Sequence, residues 1–377
     1  MSNDQTSQVN IPPDVIDLGL GDPQFSLLPL EVLRRAAEER MAQNDPSFLQ
    51  YGAEQGDGNF RRALADFLGR RYGTPVTSES LFITNGASGG LDLLCTLLTH
   101  PGDTIFVEEP SYFLALRIFE DHGLQVAPIQ TDEQGLMIEA LQEKLVEVRP
   151  KFIYVIPTFQ NPSGHTMPRE RREQLVALSQ EYGFFILADE VYQFLSYTQT
   201  PPQPFAAYTN VENVVSLNSF SKILAPGLRL GWIQAHTKII QVLVGCGLLD
   251  SGGGMNPFTS AIVRRVLEND EVEQNISKLI DVYSARVAVM DAALKNTIPQ
   301  AQYTCPHGGF FFWMRLPGID TLDLQHRSEM FKVNFRPGVL FSGRGGMREY
   351  LRLGISFYES GKIEQGVWRL KQCLDGQ

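Results

Sequence analysis

The sequence predicts an α/β protein: a largely parallel sheet covered on both faces, joined to a smaller α+β lobe. Three observations point there. Between residues 81 and 219, short apolar segments rich in β-branched and aromatic residues alternate with amphipathic stretches of helical period. Near-continuous apolar strands of this kind suit a parallel sheet buried on both faces. After about residue 300 the texture changes, with strand-like segments following one another and few long helices between them. A chain of 377 residues also exceeds what one small core needs and suits two lobes.

The elements follow in order. Residues 1–13 read as a loose arm. Helical patterns cover 29–43, opened by a proline, and about 58–72. The apolar segments are LFIT (81–84), TIFVEE (104–109), QVAPI (125–129), FIYVIP (152–157), FFILADE (184–190) and VVSLNS (214–219). Amphipathic stretches at 89–99, 112–121, 136–147 and 168–182 lie between them. TQTPPQP (198–204) reads as a surface loop. A long helical region covers about 257–297. FFFWMRL (310–316), VLFS (339–342) and YLRLGIS (350–356) belong to the smaller lobe, closed by a helix near 359–373. No internal repeat or low-complexity segment interrupts the chain.

Composition narrows the function. Hydrophobic residues make up 43% and charged residues 20%, the values of a globular chain. Lys and Arg number 32 against 43 Asp and Glu, a net charge of −11. With no long basic run, nucleic acid is not an expected partner. Cys95, Cys246, Cys305 and Cys373 are scattered and form no CxxC pair, which argues against a disulfide framework or a zinc site. The first residues lack a basic-then-apolar leader, and no apolar run is long enough to span a bilayer. A cytoplasmic protein without a membrane partner is the expectation.

Ligands of parallel α/β sheets gather beyond the carboxyl ends of the strands, and the reactive residues lie there. Asp189 ends FFILAD. It reads equally as a cap for the next segment or as a carboxylate aimed at a ligand. Lys222 follows VVSLNS, between Ser219 and Ser221, whose hydroxyls suit a phosphate; a lysine here also reads as solvated surface. Pro226-Gly227 then forces a turn, and Arg229 offers a guanidinium suited to oxyanions. In TNGASGGLDLL (84–94) a glycine-rich turn opens a helix, whose free N–H groups favour an anion, unless the turn merely reverses the chain. In TFQNPSG (158–164), Asn161 precedes proline and is pushed out of helical geometry, as in any common turn. Together the four stretches supply an amine for an aldehyde, an acid for a pyridine nitrogen and a cup for a phosphate. That set fits pyridoxal 5′-phosphate, with the cofactor supplying the carbanion chemistry and the protein orienting it.

At these residues the sequence resembles the class I/II aminotransferases of pyridoxal-phosphate fold type I. NPSG, DEVY, SFSK…PGLRLGW and a late LRLG stand in that family's order, and the likeness covers about residues 15–370. The resemblance implies a large domain with a mostly parallel, seven-stranded-type sheet between helices, spanning 45–275. The arm (1–44) and a small C-terminal domain (276–377) would form the second lobe. It implies that Lys222 is the Schiff-base lysine and later the base for the α-proton, that Asp189 partners the pyridine nitrogen, and that Tyr112 stacks on the ring. Asn161 and Tyr192 resemble the groups on the phenolic oxygen. Gly86, Ala87, Ser88, Ser219, Ser221 and Arg229 resemble the phosphate site. Arg352 resembles the grip on the substrate α-carboxylate, where Asn161 also lies. Tyr51 resembles a tyrosine reaching the phosphate of a neighbouring subunit, so a homodimer with shared sites is implied. Gly89-Gly90 departs from the polar residues many members carry near that turn.

LGLGDPQFSLLP (18–29), PHGGFFFWMRLP (306–317) and FQNPSG are similar to the aminoadipate/kynurenine aminotransferase branch, in which Gly21 would line the substrate pocket. Residues 1–33 contain no arginine to clamp an acidic side chain. The implied activity is transfer of an amino group from an aromatic, aminoadipate-like or large aliphatic amino acid to a 2-oxo acid such as 2-oxoglutarate or pyruvate. A pyridoxal-phosphate-dependent C–S β-lyase would use the same residues. A non-catalytic ligand sensor is the third alternative. Its DNA-reading form is not expected, because only about fourteen non-basic residues precede the match.

Overall fold

The computed structural model describes residues 7–198 and 200–376. In chain order the strands are β1 (Ile16–Asp17), β2 (Leu81–Thr84), β3 (Thr104–Glu109), β4 (Gln125–Asp132), β5 (Gly135–Leu136), β6 (Phe152–Val155), β7 (Phe185–Asp189), β8 (Val214–Ser219), β9 (Gly231–Ala235), β10 (Phe311–Arg315), β11 (Val333–Asn334), β12 (Arg336–Pro337) and β13 (Tyr350–Gly354). The large sheet has eight strands in the order β2-β9-β8-β7-β6-β3-β4-β5. The pairs β3–β4, β3–β6, β6–β7 and β7–β8 are parallel, whereas β9 runs antiparallel to both β2 and β8.

Side chains alternate between the two faces with the strand period of two. Phe106, Ile153, Val155, Ile186 and Ala188 join one core cluster with Leu141, Leu145 and Leu175 of the helices Ile138–Glu147 and Arg169–Tyr182. Ile105, Val107, Phe152, Tyr154 and Leu187 face the other way, into the larger cluster with the helices Gly58–Tyr72 and Gly86–Leu98. Burial on both faces is why these strands carry no polar alternation in the sequence.

The smaller lobe is built on the antiparallel sheet β10-β13-β12. Helices Glu271–Thr297 and Ser360–Asp375 pack against each other beside it. The N-terminal segment joins this lobe through β1, which pairs in parallel with β11.

Three readings of the sequence need correction. The helical region 257–297 is two helices, Pro257–Glu268 and Glu271–Thr297, broken where Asp270 adopts φ +55°. VLFS does not form a strand: Gly338–Phe341 is a 3-10 turn that ends at Ser342. GWIQA forms β9, where only a turn was read; Gly-Trp after a Pro-Gly turn gives no strand periodicity over so short a run. With β9 and the two-residue edge strand β5, the sheet has eight strands. Of the expected arm, residues 1–6 lie outside the described residues, and 7–13 contain no helix or strand. The 198–204 loop includes Gln199, which also lies outside them.

Candidate active site

Parallel strands bring their carboxyl ends to one edge of a sheet, and the predicted residues collect at that edge. The Gly86 helix follows β2, Tyr112 follows β3, Asn161 follows β6, Asp189 ends β7, and Ser219 and Lys222 stand at and after β8. Because β9 is reversed, its amino end lies at the same edge, with Gly231 registered against both Thr84 and Ser219. That reversal carries Arg229, two residues earlier, to the start of the Gly86 helix.

The phosphate-type cup is small and polar. Arg229 Nη2 donates to Asn85 O at 3.2 Å and its Nη1 to Pro226 O at 3.2 Å. Gly86 has φ +78°, and a Cβ there would meet Arg229 Nη2 at 2.8 Å. Glycine is therefore needed for both the backbone and the approach of the guanidinium. Gly86, Ala87 and Ser88 form the first turn of a 13-residue helix, with its N–H groups and positive dipole end facing the cup. Ser219 Oγ donates to Ser221 Oγ at 2.8 Å, and Ser221 N–H donates back to Ser219 Oγ at 3.1 Å. Asn256, not anticipated from the sequence, donates to Asn85 Oδ1 at 2.8 Å and also to the Arg229 carbonyl, so it ties the two halves together. An Asn-Pro opening a helix was its only signal.

Asp189 is buried, and its Oδ2 accepts from Tyr154 OH at 2.7 Å. Its Oδ1 is buried without a partner. Burial pushes this carboxyl above the usual carboxylate range, opposed by Tyr154, the Val191 N–H and the Lys222 charge. Tyr154 was missed because it sits inside an apolar strand, where a tyrosine reads as core.

The Lys222 amine donates to Gly21 O at 2.9 Å and lies 5.4 Å from the Phe310 ring centre. Burial lowers its pKa most; Asp22 and Asp189 oppose this, while Arg352 and Arg229 add to it. Gly21 faces Phe311, whose ring would stand 2.9 Å from an added Cβ. Tyr112 caps the next helix, and burial, with the Asp189 charge, pushes its phenol up to about 12. Tyr192 is buried edge-on to Phe310 at 5.4 Å, and burial raises its pKa well above the ordinary value.

Arg352, on β13, brings the small lobe to this edge. Nη1 donates to Asn161 Oδ1 and Nη2 to Gly19 O, each at 2.8 Å, while the buried Nε has no partner. The guanidinium lies 3.9 Å from the Phe311 ring centre and 5.0 Å from that of Phe341. Burial lowers its pKa to about 10. It makes no ion pair among the described residues, so a buried cation awaits an anion. Tyr51 is 77% exposed, and among the described residues its hydroxyl makes no hydrogen bond to this cluster.

The family model described as "Aminotransferase class I and II" matches residues 13–367. The chain belongs to the class I and II aminotransferases. Aromatic-amino-acid aminotransferase 1 of Thermococcus litoralis is 34% identical over 369 residues, 96% of this chain and 88% of that protein. The 2-aminoadipate transaminase of Thermus thermophilus is 31% identical over 370 residues, 97% and 91% of the two chains. The solved structure of Pyrococcus horikoshii kynurenine aminotransferase, in complex with PMP, superposes with a TM-score of 0.91 at 33% identity, over 96% of this chain and 91% of that one. The expected fold type, enzyme class and cofactor are thus borne out: this aminotransferase is a pyridoxal-phosphate enzyme.

Its residues fit that group on structural grounds. The unpartnered Asp189 Oδ1 calls for a buried N–H donor, and the cup at Gly86, closed to any side chain, suits a phosphate. No described helix is long and apolar enough to cross a membrane, and no group of acidic, His and Cys residues among those described is arranged to hold a metal.

Proposed function

We propose that this aminotransferase moves the amino group of an aromatic, large aliphatic or aminoadipate-like amino acid to a 2-oxo acid, using the residues gathered around Lys222. The observation that carries the reading is the buried carboxylate of Asp189, half-satisfied by Tyr154 and within electrostatic reach of the Lys222 amine. A carboxylate to hold a ring nitrogen and an amine of lowered pKa are the two groups this chemistry needs.

When bound, pyridoxal phosphate supplies an aldehyde and an electron sink for the carbanion left as the α-proton departs. Lys222 would hold the aldehyde and then move that proton through Nζ; its lowered pKa favours the neutral, basic form. Asp189 would hold the proton on the ring nitrogen, with Tyr154 fixing the carboxylate. Gly86, Ala87, Ser88, Ser219, Ser221 and Arg229 would hold the phosphate. Tyr112 would cover the ring, and Asn161 and Tyr192 would meet its phenolic oxygen. Arg352 would bind the substrate α-carboxylate with Asn161 beside it, which orients the Cα–H bond. Gly21 would leave room for the substrate side chain. Tyr51, exposed in one chain, would act on the phosphate of a second copy, making a homodimer with shared sites. The division into residues 1–44, 45–275 and 276–377, and a cytoplasmic location, belong to the same proposal.

The test is a single turnover without acceptor. Each of several amino acids is mixed with the loaded enzyme and the 2-oxo acid released is counted. One 2-oxo acid per site, without ammonia, supports transamination. Catalytic release of pyruvate and ammonia from cystathionine would favour the C–S lyase. No 2-oxo acid from any amino acid would sink the proposal.

A further inference from the structure

Gln160 directly precedes Asn161 and is fully buried, yet both polar atoms of its side chain have partners. Nε2 donates to Pro110 O at 2.7 Å and, more weakly, to Glu108 Oε2 at 3.4 Å. Oε1 accepts from the N–H and from the hydroxyl of Ser163, each at 2.8 Å. These partners fix which end of the amide faces which loop. Ser163 Oγ also lies 2.6 Å from His165 Nδ1, and His165 Nε2 lies 3.3 Å from Glu108 Oε1, which closes a ring of contacts. Glu108, fully buried, accepts in addition from the Ile156 N–H at 2.9 Å. The backbone closes the same loop: Gln160 N–H donates to His165 O at 2.9 Å, and Gly164 N–H to Gln160 O at 2.7 Å.

The ring joins two loops that both reach the site. Glu108 lies in β3 and Pro110 in the turn between β3 and Tyr112, whereas Gln160, Ser163 and His165 surround Asn161 in the loop after β6. Pro110 has no N–H, so its carbonyl is its one backbone polar group, and Gln160 supplies the donor for it. Asn161 Oδ1 is taken by Arg352, which leaves its Nδ2 for the cofactor. A shift of residues 160–165 would therefore move the Arg352 fork and the contact with the phenolic oxygen together. Glutamate at position 160 would have no donor for Pro110 O and would set a second carboxyl against Glu108. An apolar residue would strand Pro110 O in the interior.

We propose that Gln160 is a positioning residue: braced by Glu108, Ser163 and His165, it locks the turn before Tyr112 to the loop of Asn161, and so holds Asn161 where it meets both Arg352 and the phenolic oxygen of the cofactor ring. This rests on the proposed roles of Asn161 and Arg352. The side chain of Gln160 is spent on protein partners, so it acts through its neighbour. The physical cause is that a buried polar network with its members satisfied favours one arrangement, which a loop held by its backbone alone does not.

A double-mutant cycle on the cofactor-loaded protein tests it. The readouts are the dissociation constant of 4-methylpentanoate, which is leucine without its amino group, and the visible band of the bound cofactor. Gln160→Met keeps the length of the side chain and removes its bonds. It should weaken binding of the monocarboxylate by about tenfold and shift the band, as Asn161→Ala does. Added to Asn161→Ala, it should cost less than about twofold more, because the residue it acts through is gone. Should Gln160→Met fail to fold, Ser163→Ala takes its place in the cycle, with Ser163→Thr, which keeps the hydroxyl, expected to restore the wild-type values. Losses at the two positions that simply multiply overturn the inference, as does an unchanged dissociation constant and band in the first variant, and both results leave the role of Asn161 standing. If Asn161→Ala itself changes neither readout, that role falls, and the inference with it.

Discussion

Arg352 Nη1 donates to Asn161 Oδ1 across 2.8 Å, joining β13 of the small lobe to the loop after β6 of the large sheet. The two residues are 191 positions apart in sequence. The bond aims a planar, buried guanidinium whose Nε still lacks a partner. Lysine cannot keep both the Asn161 and Gly19 bonds while presenting a fork to a carboxylate. Arg352→Lys should lower kcat/KM for every amino acid by about a hundredfold, chiefly through KM. Steady-state kinetics over several donors checks this; a loss confined to one donor would contradict it.

Tyr154 holds Asp189 from below. Tyr154→Phe leaves a buried carboxylate short of its one side-chain donor, at a cost of about 1–3 kcal/mol in stability. Asp189→Asn should cut turnover far more, because an amide cannot hold a proton on a ring nitrogen. Denaturant unfolding and kinetics on the two variants separate the effects: the first should show mainly in stability, the second mainly in kcat.

Gly86→Ala places a Cβ 2.8 Å from Arg229 Nη2 at a backbone angle of φ +78°. Strain and displacement of the guanidinium should together weaken cofactor binding by about tenfold or more. Fluorescence titration of the stripped protein with pyridoxal phosphate reads this directly.

Lys222 carries a pKa lowered by burial from an ordinary value of 10.5. In the cofactor-free protein, the unfolded chain therefore binds more protons than the folded one between the lowered pKa and 10.5. Stability from this group rises as pH climbs through that window and is lost as pH falls through it. Replacing the lysine by Met should remove this rise, seen as a flatter dependence of unfolding free energy on alkaline pH.

Tyr51 is 77% exposed in the single chain. If its hydroxyl serves a second copy, Tyr51→Phe should weaken cofactor binding about tenfold, although the hydroxyl makes no hydrogen bond to the described residues of its own chain. Sedimentation should show a dimer, and dilution below its dissociation constant should mimic the substitution in the wild type.

Much of the fold was legible in the residues. LFIT, TIFVEE and VVSLNS are strands over the lengths read, because a strand buried on both faces is mostly apolar and polar residues mark where it ends at the site. The helix at 58–72 was legible for the same kind of reason, with Asp57 capping Phe60 N–H and Gly73 ending it at φ +68°. β9 was not legible, since five residues with a glycine at their head hold no period to detect. Nor was the break at Asp270, where a left-handed aspartate interrupts a pattern that stays amphipathic on both sides.

The candidate site divides in the same way. Arg352, inside β13, is marked only by the family resemblance, while Lys222, Asp189, Asn161 and Arg229 are marked by local chemistry, each standing at or past a strand end in the sequence. Those are short-range constraints, so the sequence by itself determined them, along with the family and the cofactor. Tertiary structure alone decided what each side chain meets. Tyr154 against Asp189, Asn256 across Asn85 and Arg229, and Gly19 against Arg352 are pairings over long stretches of chain. Such contacts arise when the sheet order and the reversed β9 are set by packing of the whole core, which no local pattern encodes.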